Sequence, residues 1–145
     1  MKNNLIFAID FDGTCVGDSF PEIGKDIGSV KILKKLVDKG HKIILTTVRC
    51  NHEIMPNSST PGIYNIKGNF LDDAINWFKE NDIPLYGIQK HPDQENWTSS
   101  PKCYFDYVID DRCFGIPLYE DESISDKPFV NWFEIERLLK QKNII

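Results

Sequence analysis

The chain has 145 residues, 41% of them hydrophobic and 27% charged, which is enough to bury one core. Its 22 acidic and 17 basic residues leave a net charge of -5, which argues against a broad nucleic-acid footprint. The apolar run Leu5-Ile6-Phe7-Ala8-Ile9 is too short for an export signal, and no stretch reaches the roughly 20 residues of a membrane span, so a cytoplasmic protein without membrane contact is expected.

Residues 4–10 read as a fully buried strand, and it ends in Asp10-Phe11-Asp12-Gly13-Thr14. Side chains at i and i+2 of an extended chain point the same way, so Asp10 and Asp12 are expected to face one site. Two like charges so close require a cation or a shared proton. Gly13 and Thr14 then turn the chain, and their backbone N–H groups are expected to stay free for an anion. Residues 15–25 carry glycine and proline and read as a loop.

From about Asp26 to Lys39, Ile27, Val30, Leu33, Leu36 and Val37 recur at helical spacing, and Gly40 supplies the stop. Lys42 to Thr47 is a second buried strand. Residues 50–68 form a long polar loop, a candidate partial lid. Asn69 is placed to cap a helix running to about Asn81, with Leu71, Ala74, Ile75 and Phe78 on its apolar face. Ile83 to Ile88 makes a third strand and residues 89–101 another polar loop. Tyr107-Val108-Ile109-Asp110 is a fourth strand. Asn131 and Glu134 form the pattern of a capping box opening a last helix, with Trp132, Ile135, Leu138 and Leu139 inward.

Strands alternating with helices predict a single α/β domain over 1–145: a three-layer, Rossmann-like core around a mostly parallel sheet. Ligands of such sheets bind beyond the carboxyl ends of the strands. Asp10/Asp12, Thr46/Thr47 and Asp110/Asp111 would all gather on that edge. Three strand-end carboxylates suit a hard divalent cation such as Mg2+, with a substrate phosphate completing its shell. Lys102 would add a point charge for phosphate and Thr47 a hydroxyl donor. These parts compose a phosphoryl-transfer site. Cys15, Cys50, Cys103 and Cys113 form no C-x-x-C pair, so reduced thiols are expected.

The pattern resembles that of the haloacid dehalogenase (HAD) superfamily of phosphohydrolases. "AIDFDGT" resembles the first family motif, which implies Asp10 as nucleophile and Asp12 as general acid/base. "ILTTVR" resembles the second, whose hydroxyl binds phosphate, aligned to Thr47 with Thr46 one register away. "PKCYFDYVIDDR" resembles the joined third and fourth, supplying Lys102 and the metal-binding Asp110 and Asp111. The resemblance further implies that Asp10 and the backbone carbonyl of Asp12 contact magnesium. A two-component receiver domain is excluded by order, because its lysine follows all the acids.

The intervals Thr14–Thr47 and Arg49–Lys102 are too short for a cap domain, so the capless type is expected. A capless site would accept a phosphorylated small molecule, closed over by loops or a second subunit, or an exposed phosphate on a macromolecule, including a nucleic-acid end. Arg49, Arg112 and Trp97 are candidates for substrate specificity, with structural pairing to acids the competing reading of both arginines and a loop anchor that of Trp97. The other class of function is a phosphate-binding or regulatory module without turnover.

Overall fold

A computed structural model describes residues 3–52 and 66–145. The strands are β1 (Ile6–Ile9), β2 (Lys42–Leu45), β3 (Gly87–Ile88), β4 (Tyr107–Ile109), β5 (Leu118–Tyr119) and β6 (Phe129–Val130). The helices are α1 (Ser29–Asp38), α2 (Phe70–Glu80) and α3 (Trp132–Gln141), with a 3-10 turn at Gln94–Asn96. The first four strands make a parallel sheet in the order β3-β2-β1-β4, and β5 pairs antiparallel with β6.

Every residue of β1 is buried, as its unbroken apolar run requires of a strand covered on both faces. Phe7, Ile9, Ile43, Leu45 and Ile109 join Leu33 and Leu36 of α1, Ala74 and Phe78 of α2, and Ile135 and Leu139 of α3 in one core. Ala8 and Ile44, on the opposite face, are equally buried. A Cβ on Gly87 would meet Pro92 Cδ at 3.2 Å, so the connection carrying the 3-10 turn lies against the sheet at that point. The architecture is a Rossmann-like three-layer α/β fold with a central parallel sheet flanked by helices. Among the described residues no helix is long and apolar enough to cross a membrane.

The helix ends show where tertiary contacts replace local signals. Helix α1 begins at Ser29, later than the periodicity suggests, because Asp26 bridges to Val16 and its carboxylate accepts the Gly28 N–H at 2.9 Å. Gly40 ends it with φ 87° and donates to the Val37 carbonyl. Asn69 makes no side-chain cap on α2. The first-turn donors go instead to chain distant in sequence: Leu71 N–H to the Cys50 carbonyl and Asp72 N–H to Asn51 Oδ1 at 3.0 Å. Asn131 does cap α3, accepting the Glu134 N–H at 3.2 Å, but the Glu134 carboxylate turns to Arg137, so only half of the capping box forms. β3 is shorter than expected. Pro84 has no N–H to donate, and laddered pairing is confined to Gly87 and Ile88.

The register fixes what stands at the sheet's carboxyl edge. Ile9 lies opposite both Leu45 and Ile109, and Leu45 opposite Ile88. Asp10, Thr46, Asp110 and Gln89 therefore leave their strands side by side.

Candidate active site

Asp10 continues the ladder for one residue, donating its N–H to the Ile109 carbonyl at 3.0 Å. The chain then winds into a tight turn in which the Phe11 carbonyl accepts from Thr14, Cys15 and Val16. Phe11 itself is fully buried against Trp77 and Phe78. That anchor fixes the turn from below.

Gly13 and Thr14 do not present free N–H groups to an anion, contrary to expectation. Gly13 N–H donates to the Val16 carbonyl at 2.8 Å and Thr14 N–H to the Phe11 carbonyl at 3.1 Å. Gly13 and Thr14 have other tasks. Gly13 has φ 77°, and a Cβ there would meet Asp111 Oδ2 at 2.5 Å, so only glycine lets that carboxylate approach. Thr14 is fully buried; its hydroxyl donates to Asp10 Oδ2 at 2.7 Å and accepts the Asp111 N–H at 3.0 Å. One side chain thus couples the end of β1 to the end of β4.

Asp10, Asp110 and Asp111 each bring a carboxylate oxygen within 4.8 Å of the others. Burial, then the charges of Asp110 and Asp111, push the Asp10 carboxyl from 3.8 up to about 8, against the opposing pull of the Thr14 hydroxyl. Burial chiefly raises Asp111 as well, while its hydrogen bond with Asp10 works the other way. Three carboxylates so placed repel one another, and a positive charge among them relieves that cost. The donor set is all oxygen, with no histidine or thiolate among the clustered ligands, and fits a hard divalent ion such as magnesium better than a soft one. The Arg112 N–H donates to Asp110 Oδ1 at 2.8 Å and orients that carboxylate.

Asp12 stands apart. Its carboxylate is not among the clustered oxygens but meets Arg49, with Nε at 2.7 Å from Oδ2 and Nη2 at 2.8 Å from Oδ1. The resemblance assigns the backbone carbonyl of Asp12, not its side chain, to the metal, and the carboxylate is taken by Arg49. Arg49, read as a candidate substrate contact, is only 2% exposed. The competing reading, structural pairing with an acid, is the one observed.

Thr47 sits at the carboxyl edge, its Oγ1 accepting the Arg49 N–H at 3.1 Å and keeping its own hydrogen to donate. Its peptide is held from the side by Gln89, which accepts the Thr47 N–H at 3.0 Å and donates to the Thr47 carbonyl at 2.6 Å. Gln89, in the left-handed region at φ 67°, extends the sheet with a side-chain amide. No local pattern announces this; it exists only once β3 lies beside β2.

Lys102 is exposed, on the segment entering β4 from its amino end, and no ion pair among the described residues joins it to the acids. Lys90, which sequence reading does not single out, follows Gln89 directly at the carboxyl end of β3, beside the Thr47 loop, and pairs with Glu95, both side chains being exposed. Arg112 is exposed next to Asp111, whose charge it stabilises. Trp97 is 59% exposed and packs edge-on against Tyr104 at 5.3 Å, the arrangement of a loop anchor. All four cysteines are free. Cys15 is buried filler whose thiol donates to the Asp10 carbonyl at 3.2 Å. The candidate lid over 50–68 falls largely outside the described residues, which stop at 52 and resume at 66.

Two supports of the turn also escape sequence reading. Trp132 Nε1 donates to the Thr14 carbonyl at 2.6 Å, and Val130 N–H donates to the Gly13 carbonyl. The start of α3 thereby pins the loop that carries the acids.

No protein-family model matches the chain, and no curated relative does. Among solved structures, a conserved protein from Bacteroides thetaiotaomicron matches with a TM-score of 0.68 and 32% sequence identity. The match covers 97% of this chain and 93% of that one. With that identity sustained over nearly all of both chains, this protein belongs to the same family as the conserved Bacteroides thetaiotaomicron protein.

Proposed function

We propose that this protein is a magnesium-dependent phosphomonoester phosphatase of the capless HAD type, working through an aspartyl-phosphate at Asp10. The observation that carries the reading is the junction of Asp10 with Asp110 and Asp111 at the carboxyl ends of neighbouring parallel strands. Asp10, Asp110 and Asp111 would hold the ion. When bound, it would screen the repulsion between the Asp10 carboxylate and a phosphate dianion.

The Asp10 carboxylate attacks phosphorus and the bond to the leaving oxygen breaks, its electron pair departing with the alcohol. Asp12 gives that oxygen a proton. It then takes one from the water that attacks the phosphoryl group, which releases inorganic phosphate and restores Asp10. The Thr47 hydroxyl donates to an equatorial phosphate oxygen. For the cationic contact, position favours Lys90 over Lys102. The ion pair of Lys90 with Glu95 is exposed at both ends and can exchange partners.

The substrate is a phosphorylated small molecule on this reading, with Arg112 beside Asp111 available to a second anionic group. A macromolecular phosphate, nucleic-acid ends included, is the alternative for an uncapped site. The four free cysteines agree with a reducing compartment such as the cytoplasm. The other reading is a phosphate-binding or regulatory module without turnover, built on the same acid cluster and the Thr47 hydroxyl. Hydrolysis of an aryl phosphate with magnesium, with chelator, and by Asp10→Asn separates the two. A panel of nucleotides, sugar phosphates and oligonucleotide ends then assigns the substrate class.

A further inference from the structure

We infer that Arg49 is a positioning residue that holds the Asp12 carboxylate in line for proton transfer; this rests on the phosphatase reading above. A guanidinium has five N–H donors. In Arg49 all five have acceptors. Nε and one N–H of Nη2 take the two Asp12 oxygens, at 2.7 and 2.8 Å. The other N–H of Nη2 reaches the Glu22 carbonyl at 2.8 Å. Nη1 reaches the carbonyls of Pro21 at 3.2 Å and Phe70 at 3.5 Å. No donor remains for a substrate.

The rings of Phe11 and Phe20, from the turn after β1 and the loop before α1, lie with their centroids 5.1 and 5.0 Å from the guanidinium carbon. Arg49 therefore fastens three pieces of chain around Asp12: the turn after β1, the loop before α1 and the first residue of α2. The Asp12 side chain keeps 17% of its surface open while that of Arg49 has none, so the carboxylate faces outward from a fixed base. Lysine would supply the charge but not the planar fork that sets the carboxylate's orientation.

A group that positions a proton donor matters most when the leaving oxygen needs the proton. The test compares Arg49→Lys and Arg49→Gln with the unaltered protein on two esters, 2,4-dinitrophenyl phosphate and a simple alkyl phosphate. Each variant is first checked for folding by circular dichroism. With magnesium saturating, kcat on the alkyl ester should fall by about 10²-fold or more, and on the activated aryl ester by less than about fivefold. KM should change little for either. In the Asp12→Asn background the added Arg49→Lys change should cost no further rate on the alkyl ester. Equal losses on both esters, or additive losses in the double variant, would show a purely structural role and overturn the inference while the phosphatase reading stands. An unaltered protein that hydrolyses neither ester would overturn both. If neither Arg49 variant folds, Asp12→Asn alone still decides: without leaving-group dependence there, no proton donation exists for Arg49 to support.

Discussion

Removing divalent cations should make the protein's stability fall as pH rises, and Asp10→Asn should abolish most of that fall. In the metal-free native state the Asp10 carboxyl keeps its proton up to about 8, whereas the unfolded chain releases it near 3.8. Between those values the unfolded state binds fewer protons, so stability declines from about pH 4 to about pH 8 and then levels. At 1.36 kcal/mol per unit the full shift corresponds to about 6 kcal/mol. Water reaching the half-buried Asp10 screens the charges and reduces this to a few kcal/mol. The assay is urea unfolding of the unaltered protein and of Asp10→Asn at pH 5 and pH 8.5, with chelator and with magnesium. Asparagine still accepts the Thr14 hydroxyl, so the comparison isolates the charge. Near pH 5 the two proteins should be similarly stable. At pH 8.5 in chelator Asp10→Asn should be the more stable, and magnesium should return the advantage to the unaltered protein. Parallel pH profiles for the two in chelator would refute the reasoning, because burial beside Asp110 and Asp111 would then carry no electrostatic cost.

Gly13→Ala forces a left-handed backbone on alanine, at roughly 1–2 kcal/mol, and drives a methyl into Asp111. Its thermal midpoint should drop by several degrees, and calorimetry should show magnesium binding weakened about tenfold or more. Trp132→Phe keeps the packing but leaves the Thr14 carbonyl without its indole donor. Denaturant unfolding should register a loss of roughly 1–3 kcal/mol. Of the two lysines, Lys90→Ala should reduce kcat/KM on an aryl phosphate more than Lys102→Ala does; the reverse order would assign the cationic contact to Lys102.

Much of the fold was legible because its signals are local. An apolar run buried on both faces reads as a central parallel strand, and β1 and β2 emerged where such runs lie, while β4 formed where expected as an edge strand with Tyr107 and Val108 exposed. The meeting of Asp10 with Asp110 and Asp111 was legible too, since a parallel sheet puts strand ends on one edge. What stayed hidden depends on pairs of residues far apart in sequence. Asn51 caps a helix that starts beyond residue 69, and Gln89 completes the backbone bonding of Thr47. β5 and β6 are two residues each, too short for any period to show. The two readings of Arg49 could not be separated for the same reason. An arginine beside a motif resembles a substrate contact until the positions of Asp12, Pro21, Glu22 and Phe70 are known.

The central claim is that Asp10 itself takes the phosphoryl group with magnesium present. Acid quenching during turnover of an aryl phosphate, followed by peptide mass spectrometry, tests it directly. The peptide bearing Asp10 should gain one phosphoryl group in the presence of magnesium, and should gain none with chelator or in Asp10→Asn. Hydrolysis that continues undiminished in Asp10→Asn, or that ignores the removal of divalent cations, would contradict the account.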